Sequence, residues 1–180
     1  MKNIYLLVPF IVLCFCVVPQ SSHAYFTTEQ TAVTLDNTHA LFVIEYTFGL
    51  KNEDMFMPAI AERDLSFKEA DVQKVGYSIP IDGGTNATIG NTTAIVVSHA
   101  PIVNGMYKLE KGKAQKIWLI ALLTTDSNEL ETDYALSVEK LPFYVDVGEK
   151  ELQSRQLNPS ELQYYKTKEV ELNTGNYPKR

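Results

Sequence analysis

Cysteine is scarce in this sequence of 180 residues, and its position excludes most of the chemistry that cysteine supports. The two cysteines, Cys14 and Cys16, both lie in an apolar run near the N-terminus. A domain folded from the rest of the chain therefore has no disulfide, no thiol nucleophile and no cysteine-based metal site. Lipid modification needs a small residue immediately before the cysteine, whereas Leu13 and Phe15 precede these two.

An excess of positive charge is also lacking. The chain has 16 Lys and Arg against 22 Asp and Glu, which gives a formal net charge of −6. Binding to a phosphate backbone needs a basic face, so we expect no nucleic-acid partner. With 45% hydrophobic and 21% charged residues, the composition indicates a globular chain and excludes a coiled coil, a collagen-like repeat and a wholly disordered chain.

The N-terminal segment has the pattern of an export signal. Lys2 precedes an apolar run over residues 4–18, and Ser22-His23-Ala24 places small residues where a signal peptidase needs them. An uncleaved membrane anchor is the alternative, but the run of about 15 residues is shorter than the roughly 20 that a spanning helix needs. We predict a signal peptide over residues 1–24 and a mature chain that starts at Tyr25, is exported, and has no membrane contact after cleavage. Its location is then the periplasm, the cell surface or the extracellular space.

Helical periodicity is weak in the rest of the chain, and strand patterns dominate. Residues 40–49 alternate, with Phe42, Ile44, Tyr46 and Phe48 on one face. Similar runs, bounded by Asn, Asp and Gly turns, predict further strands over residues 27–35, 55–60, 77–81, 92–98, 106–109, 114–125 and 134–147. Strands at spacings of about ten residues predict an all-β, antiparallel sandwich of seven or eight strands.

The segment 114–125 is apolar on both faces between charged turns. Such a run is typical of a central strand that is covered on both sides, and it predicts a buried Trp118. A short buried helix is the competing interpretation.

One local pattern resembles exported bacterial immunoglobulin-like domains. Tyr107-Lys108-Leu109 leads through Lys111-Gly112-Lys113 into the apolar strand that starts at Ile117. The resemblance covers about residues 105–145 and implies an immunoglobulin-like β-sandwich, which we place at residues 25–147. The cysteine pair of antibody domains is absent, and the resemblance implies no active-site residues.

Residues 148–180 form a more polar C-terminal extension. Asn158-Pro159-Ser160-Glu161 predicts the start of a short helix, because Asn caps, Pro suits the first turn, and Glu161 bonds back to the Asn158 N–H. Leu162, Tyr164 and Tyr165 would dock this helix partly on the sandwich, and residues 169–172 would add an edge strand. Adjacent aromatic residues cannot both face one core, so Tyr164 and Tyr165 are our candidate interaction surface.

Catalytic signatures are missing. After residue 24 the only histidines are His39 and His99, and no Gly-x-Ser-x-Gly elbow is present. We therefore predict no catalytic residues, no cofactor and no enzymatic activity.

Two metal hypotheses are weaker than their packing alternatives. Met55, Met57, His99 and Met106 offer thioether and imidazole ligands for copper, but the sequence has no His-x-Met pattern. Oxygen ligands for calcium crowd one connection, but the sixth position of that loop is Glu131 where an EF-hand has Gly; the residues are Asp126, Asn128, Glu129, Glu131 and Asp133. We predict no metal ligand.

Three functions remain. The leading hypothesis is an exported, non-enzymatic immunoglobulin-like module with a structural or protein-interaction role at the cell envelope, whose protein partner and oligomeric state the sequence leaves open. The alternatives are a periplasmic domain that binds carbohydrate or a small molecule, and a periplasmic copper carrier. An exposed Trp118 would favour carbohydrate or small-molecule binding.

Overall fold

The computed structural model describes residues 27–49, 51–63, 74–81, 91–127, 131–146, 148 and 152–173. The predicted signal peptide at residues 1–24 lies outside the described residues, as do Asn128 and Glu129 of the candidate calcium loop.

The described chain is all-β, as the sequence predicts, and contains no α-helix in these ranges. It has more strands than the seven or eight expected, because several are only two to four residues long. The strands are β1 (Thr27–Thr34), β2 (His39–Phe48), β3 (Met55–Pro58), β4 (Ala61–Arg63), β5 (Val75–Ser78), β6 (Asn91–Ser98), β7 (Ile102–Val103), β8 (Met106–Leu109), β9 (Gln115–Thr124), β10 (Thr132–Tyr134), β11 (Ser137–Asp146), β12 (Leu152–Leu157) and β13 (Val170–Leu172).

Four strands form one antiparallel sheet in the order β1-β2-β9-β6. The alternation in β2 buries every second residue, as the sequence predicts. The buried side chains of this sheet's inner face are Ala40, Phe42, Ile44, Tyr46, Phe48, Val96, Ile117, Leu119, Ala121 and Leu123.

A second, seven-stranded sheet has the order β4-β5-β11-β3-β8-β7, with β12 added on β11. Its strand pairs are antiparallel except β4 with β5, which run parallel. Side chains from both sheets share one buried apolar cluster, for example Ile44 and Leu119 with Met57, Leu109 and Val145. The described residues thus form a single core to which both sheets contribute.

The C-terminal segment runs antiparallel along the chain from β10 to β11. β12 pairs with Leu141–Asp146, Lys166 forms a bridge with Ser137, and β13 pairs with β10. The Thr167 hydroxyl, which is buried, accepts a hydrogen bond from the Leu136 N–H at 3.0 Å. Beyond β13, the Asn173 N–H donates to the Asn37 carbonyl at 2.8 Å, so the segment is fastened to the turn between β1 and β2.

The predicted C-terminal helix is not seen, and this expectation was wrong. Its start signal does form, since the Asn158 N–H donates to the Glu161 carboxylate at 2.8 Å. Only a single 3-10 turn follows, Pro159–Glu161, and Leu162 is already extended. The chain after this turn instead pairs with the start of β11. The Val138 N–H donates to the Tyr165 carbonyl, and the Thr167 N–H donates to the Leu136 carbonyl. Pairing along β11 therefore overrides the local helix signal.

Candidate interaction surface

The outer face of the four-stranded sheet, opposite the core, carries eight apolar side chains. In β2, β6 and β9 they alternate with buried residues and point away from the core, and register places Val33 of β1 on the same side. We call this set the outer face; its members are Val33, Leu41, Val43, Ile95, Val97, Trp118, Ile120 and Leu122.

Strand register brings these side chains together in rows. Val33, Leu41 and Leu122 lie side by side across three strands, and Val43, Ile120 and Ile95 form the next row. Val33 is 44% exposed, Leu122 39% and Ile95 52%. Cross-strand neighbours of this kind make one contiguous apolar patch rather than scattered surface residues.

Trp118 lies on the outer face and is only partly buried, so the expectation of a buried tryptophan was wrong. The strand β9 is central in its sheet, but only its inner side is covered by the core. The Trp118 indole N–H donates to a Glu45 carboxylate oxygen at 2.6 Å, and its ring meets that of His99 edge-on at 5.3 Å. The one polar group of this side chain, its indole N–H, is thus satisfied by a neighbour on the same face.

Charge at this end of the face is balanced locally. Lys116 forms an ion pair with Glu45, whose side chain is 14% exposed. The hydrogen bond that Lys116 donates to Glu45 raises the pKa of Lys116, so this lysine stays protonated. Glu29 lies beside Glu45 on the neighbouring strand.

The other end of the sheet carries a compact turn. Asp36 accepts hydrogen bonds from the Thr38 N–H at 2.8 Å and pairs with His39 Nδ1 at 2.8 Å. These contacts lower the pKa of Asp36 to about 2; the hydrogen bond from the Thr38 N–H has the largest effect, and the hydrogen bond with His39 has the next largest. Residues 36–39 thus form a turn in which an Asp side chain bonds back to the backbone.

Tyr164 and Tyr165 lie away from this patch. They follow the 3-10 turn, and Tyr165 bonds through its carbonyl to β11 of the other sheet. They are 42% and 43% exposed. Sequence reasoning chose these adjacent aromatics and missed the outer face, although its signal was present in the two-sided apolar character of residues 117–123.

The proposed copper ligands occupy different environments. Met55 and Met57 are fully buried in the core, while His99 is exposed beside Trp118. Within the described ranges, no group of three or more His, Cys, Asp or Glu side chains is arranged to hold a metal ion.

Carboxylates of the candidate calcium loop meet the C-terminal strand. Asp133 lies opposite Glu171 in the β10–β13 pair. The pKa of Glu171 is raised, mainly by a hydrogen bond with Glu131 and further by the negative charges of Glu131 and Asp133. The group is therefore a set of like charges that repel one another at neutral pH.

An open cleft of about 210 Å³ lies near the end of β11, lined by Asn52, Glu53, Asp54, Lys111, Asp146 and Gly148. The carboxylate of Asp54 in this cleft already has partners within the chain. Asp54 pairs with Lys108 at 2.8 Å and accepts the Lys111 N–H at 2.9 Å, and these contacts lower its pKa. We interpret the cleft as a junction between loops.

In the described part of the chain, no helix has the length and apolar character needed to cross a membrane. The sequence matches no protein-family model and no curated protein. Function must therefore be argued from the surface itself.

Proposed function

We propose that this chain is an exported, non-enzymatic module of immunoglobulin-like sandwich architecture that acts by protein–protein contact at the cell envelope. The observation that carries the proposal is the outer face. A contiguous apolar patch on a single domain is typical of a surface that binds another protein. The two neighbouring rows that contain Val33 and Val43 carry no charged side chain, which matches the depletion of charge at interface centres, and the carboxylates lie in the next row, beside Trp118.

The architecture supports the immunoglobulin-like assignment. Two largely antiparallel sheets share one core, as the sandwich requires. The pattern that suggested the family coincides with β8, a turn in which Gly112 has a positive φ of 74°, and β9. The export assignment depends on the leader pattern in residues 1–24.

Site-specific crosslinking in the intact cell tests the proposal. A photoreactive residue at Ile95 on the outer face, 52% exposed, should form an adduct of defined mass with a protein of the cell envelope. The same residue at Ile102 on β7, 59% exposed, is the matched control and should form none. Equal labelling from both positions, or hydrolysis of esters, peptides or glycosides by the purified protein, would contradict the proposal.

Binding of a carbohydrate or small molecule is the second candidate, and the position of Trp118 favours it. A half-buried indole on a sheet surface, with Glu45 and His99 beside it, offers a stacking ring and polar groups. Because Trp118 is the only tryptophan, its fluorescence reports directly on this site. Saturable quenching by a member of an oligosaccharide panel would support this function, and an unchanged spectrum across the panel would remove it.

A further inference from the structure

We propose that Asn104 is a site of spontaneous deamidation, at which the backbone nitrogen of Gly105 attacks the Asn104 side chain and converts it to aspartate or isoaspartate. This modification does not depend on the proposed protein contact. Asn104 is the only asparagine of the sequence that is followed by glycine. Because glycine has no side chain, its nitrogen can approach the neighbouring side-chain amide without steric hindrance.

The connection between β7 and β8 is a two-residue hairpin turn. Val103 lies opposite Met106, so only Asn104 and Gly105 stand between the two strands. Both residues have a positive φ, 52° for Asn104 and 78° for Gly105. A turn with two central residues of positive φ favours the sequence Asn-Gly. The dipeptide that suits this turn is therefore also the one whose two residues react with each other most easily.

The reacting groups are accessible. Asn104 and Gly105 are both exposed, and no atom lies within 4 Å of the position that a Cβ on Gly105 would occupy. In the described part of the chain, no hydrogen bond engages the Gly105 N–H. Asn173 is the contrast, since it also has a positive φ of 61° but is buried and is followed by Thr174.

The reaction needs no partner except water. The Gly105 nitrogen forms a bond to Asn104 Cγ, the bond between Cγ and Nδ2 breaks, and ammonia leaves with the proton of the Gly105 N–H. Water then opens the cyclic imide at one of its carbonyl groups. Opening at Cγ gives aspartate, whereas opening at the backbone carbonyl gives isoaspartate, in which the main chain runs through Cβ and Cγ of residue 104.

The hairpin controls the rate, because a closed turn limits how the Gly105 nitrogen can approach Cγ. Its hold is weak, since β7 has two residues, lies at the end of its sheet and, among the described strands, pairs only with β8. Ile102 is 59% exposed and Val103 38%. Short, exposed elements of this kind open locally at little cost in free energy.

Isoaspartate should release β7 from the sheet. The added backbone atom no longer fits a two-residue turn, so the strands on either side lose their register. Across this hairpin the Lys108 N–H donates to the Pro101 carbonyl at 2.8 Å, and we expect this bond to be lost. Aspartate keeps the ordinary main chain and tolerates a positive φ, so it should leave the hairpin intact.

Incubation of the purified, folded protein at mildly alkaline pH, followed by digestion and mass spectrometry, is the test. Aspartate and isoaspartate should accumulate at residue 104 and not at Asn173. In urea, where the hairpin is open, the rate at residue 104 should be about tenfold higher, which corresponds to an opening free energy of about 1.4 kcal/mol. Asn104 that stays intact in the folded protein, or an equal rate at Asn173, would overturn the proposal.

A pair of variants tests the control by the hairpin. Ile102→Gly should raise the rate in the folded protein about fivefold, because glycine weakens the pairing of β7. Ile95→Gly, at an isoleucine of similar exposure on β6, should leave the rate unchanged. Equal rates in these two variants, or in the folded and unfolded chains, would show that β7 does not control the reaction.

Hydrogen exchange at Lys108 separates the two products. Exchange should be faster in incubated protein that contains isoaspartate than in fresh protein, whereas Asn104→Asp should exchange like the fresh protein. Equally fast exchange in Asn104→Asp would assign the loss of pairing to the added charge and overturn the role of the altered main chain.

Discussion

At the scale of one residue, Tyr46 shows that the alternation of β2 places a side chain in the core even when that side chain carries a hydroxyl group. Its side chain is fully buried, as the pattern of Phe42, Ile44 and Phe48 predicts. Among the residues that the structure describes, its hydroxyl group has no hydrogen-bond partner. Leaving a buried hydroxyl unpaired costs about 1–3 kcal/mol, so this residue weakens the core that it fills.

Tyr46→Phe should therefore raise the free energy of unfolding by about 1 kcal/mol, as measured by urea denaturation at neutral pH. Burial also raises the pKa of the Tyr46 phenol. Above pH ~10 the unfolded chain loses this proton while the folded chain keeps it, so stability falls as the pH rises. The Phe variant has no phenol to ionise, so it should lose less stability as the pH is raised from about 9 to about 11, across the ordinary phenol pKa of about 10. A variant less stable than the unmodified protein at neutral pH would indicate that the hydroxyl has a partner after all.

Trp118 shows where single-residue reasoning fails. The sequence marks it as apolar inside an apolar run, and the run predicts burial. Burial depends on what lies against the second side of the sheet, and strand periodicity carries no information about that layer. The register partner, Glu45, was the available clue, because a carboxylate directly opposite Trp118 is more easily accommodated at a surface than in a core.

At the scale of elements, sequence reasoning located most strands to within a few residues. The predicted strands at 27–35, 40–49, 92–98 and 106–109 correspond to β1, β2, β6 and β8. Alternation and turn residues are local signals, so they survive without knowledge of the fold. The prediction of a C-terminal helix was wrong for the opposite reason. Its N-terminal cap does form, but a non-local pairing with β11 determines the conformation after Leu162.

The pairing of β10 with β13 should depend on pH. The pKa of Glu171 is raised by its hydrogen bond with Glu131 and by nearby carboxylates. The folded state then binds this proton more tightly than the unfolded state, so stability increases as the pH falls through the raised pKa and is lost as the pH rises. Glu171→Gln should therefore be more stable than the unmodified protein at neutral pH, which lies above the ordinary carboxyl pKa of about 4. The stability of this variant should also depend less on pH.

Urea unfolding midpoints measured between mildly acidic and neutral pH would check this. Glu169→Gln is the matched control, because Glu169 pairs with Lys166 at 2.8 Å and gains nothing from losing its charge. Equal stabilisation of both variants would point to the net negative charge of the chain rather than to the contact between Glu131 and Glu171.

At the scale of the whole molecule, the described chain has one core that is covered from both sides and one sheet face that is not. The inner and outer faces of β9 differ in burial although both are apolar: Leu119 is 1% exposed and Leu122 39%. Fold class and strand positions follow from local patterns, whereas the uncovered face depends on how the two sheets are arranged. This is why the sequence indicated an interacting domain but placed its surface at Tyr164 and Tyr165.

Two leucines of one strand test this one-sided arrangement. Leu119→Ala should lower the free energy of unfolding by about 2–5 kcal/mol, because it opens a cavity in the core. Leu122→Ala should cost about 1 kcal/mol or less, because its side chain is already partly in water. If Leu122→Ala proved as costly as Leu119→Ala, the outer face would have to be covered within the single chain, and its role in protein contact would lose its basis.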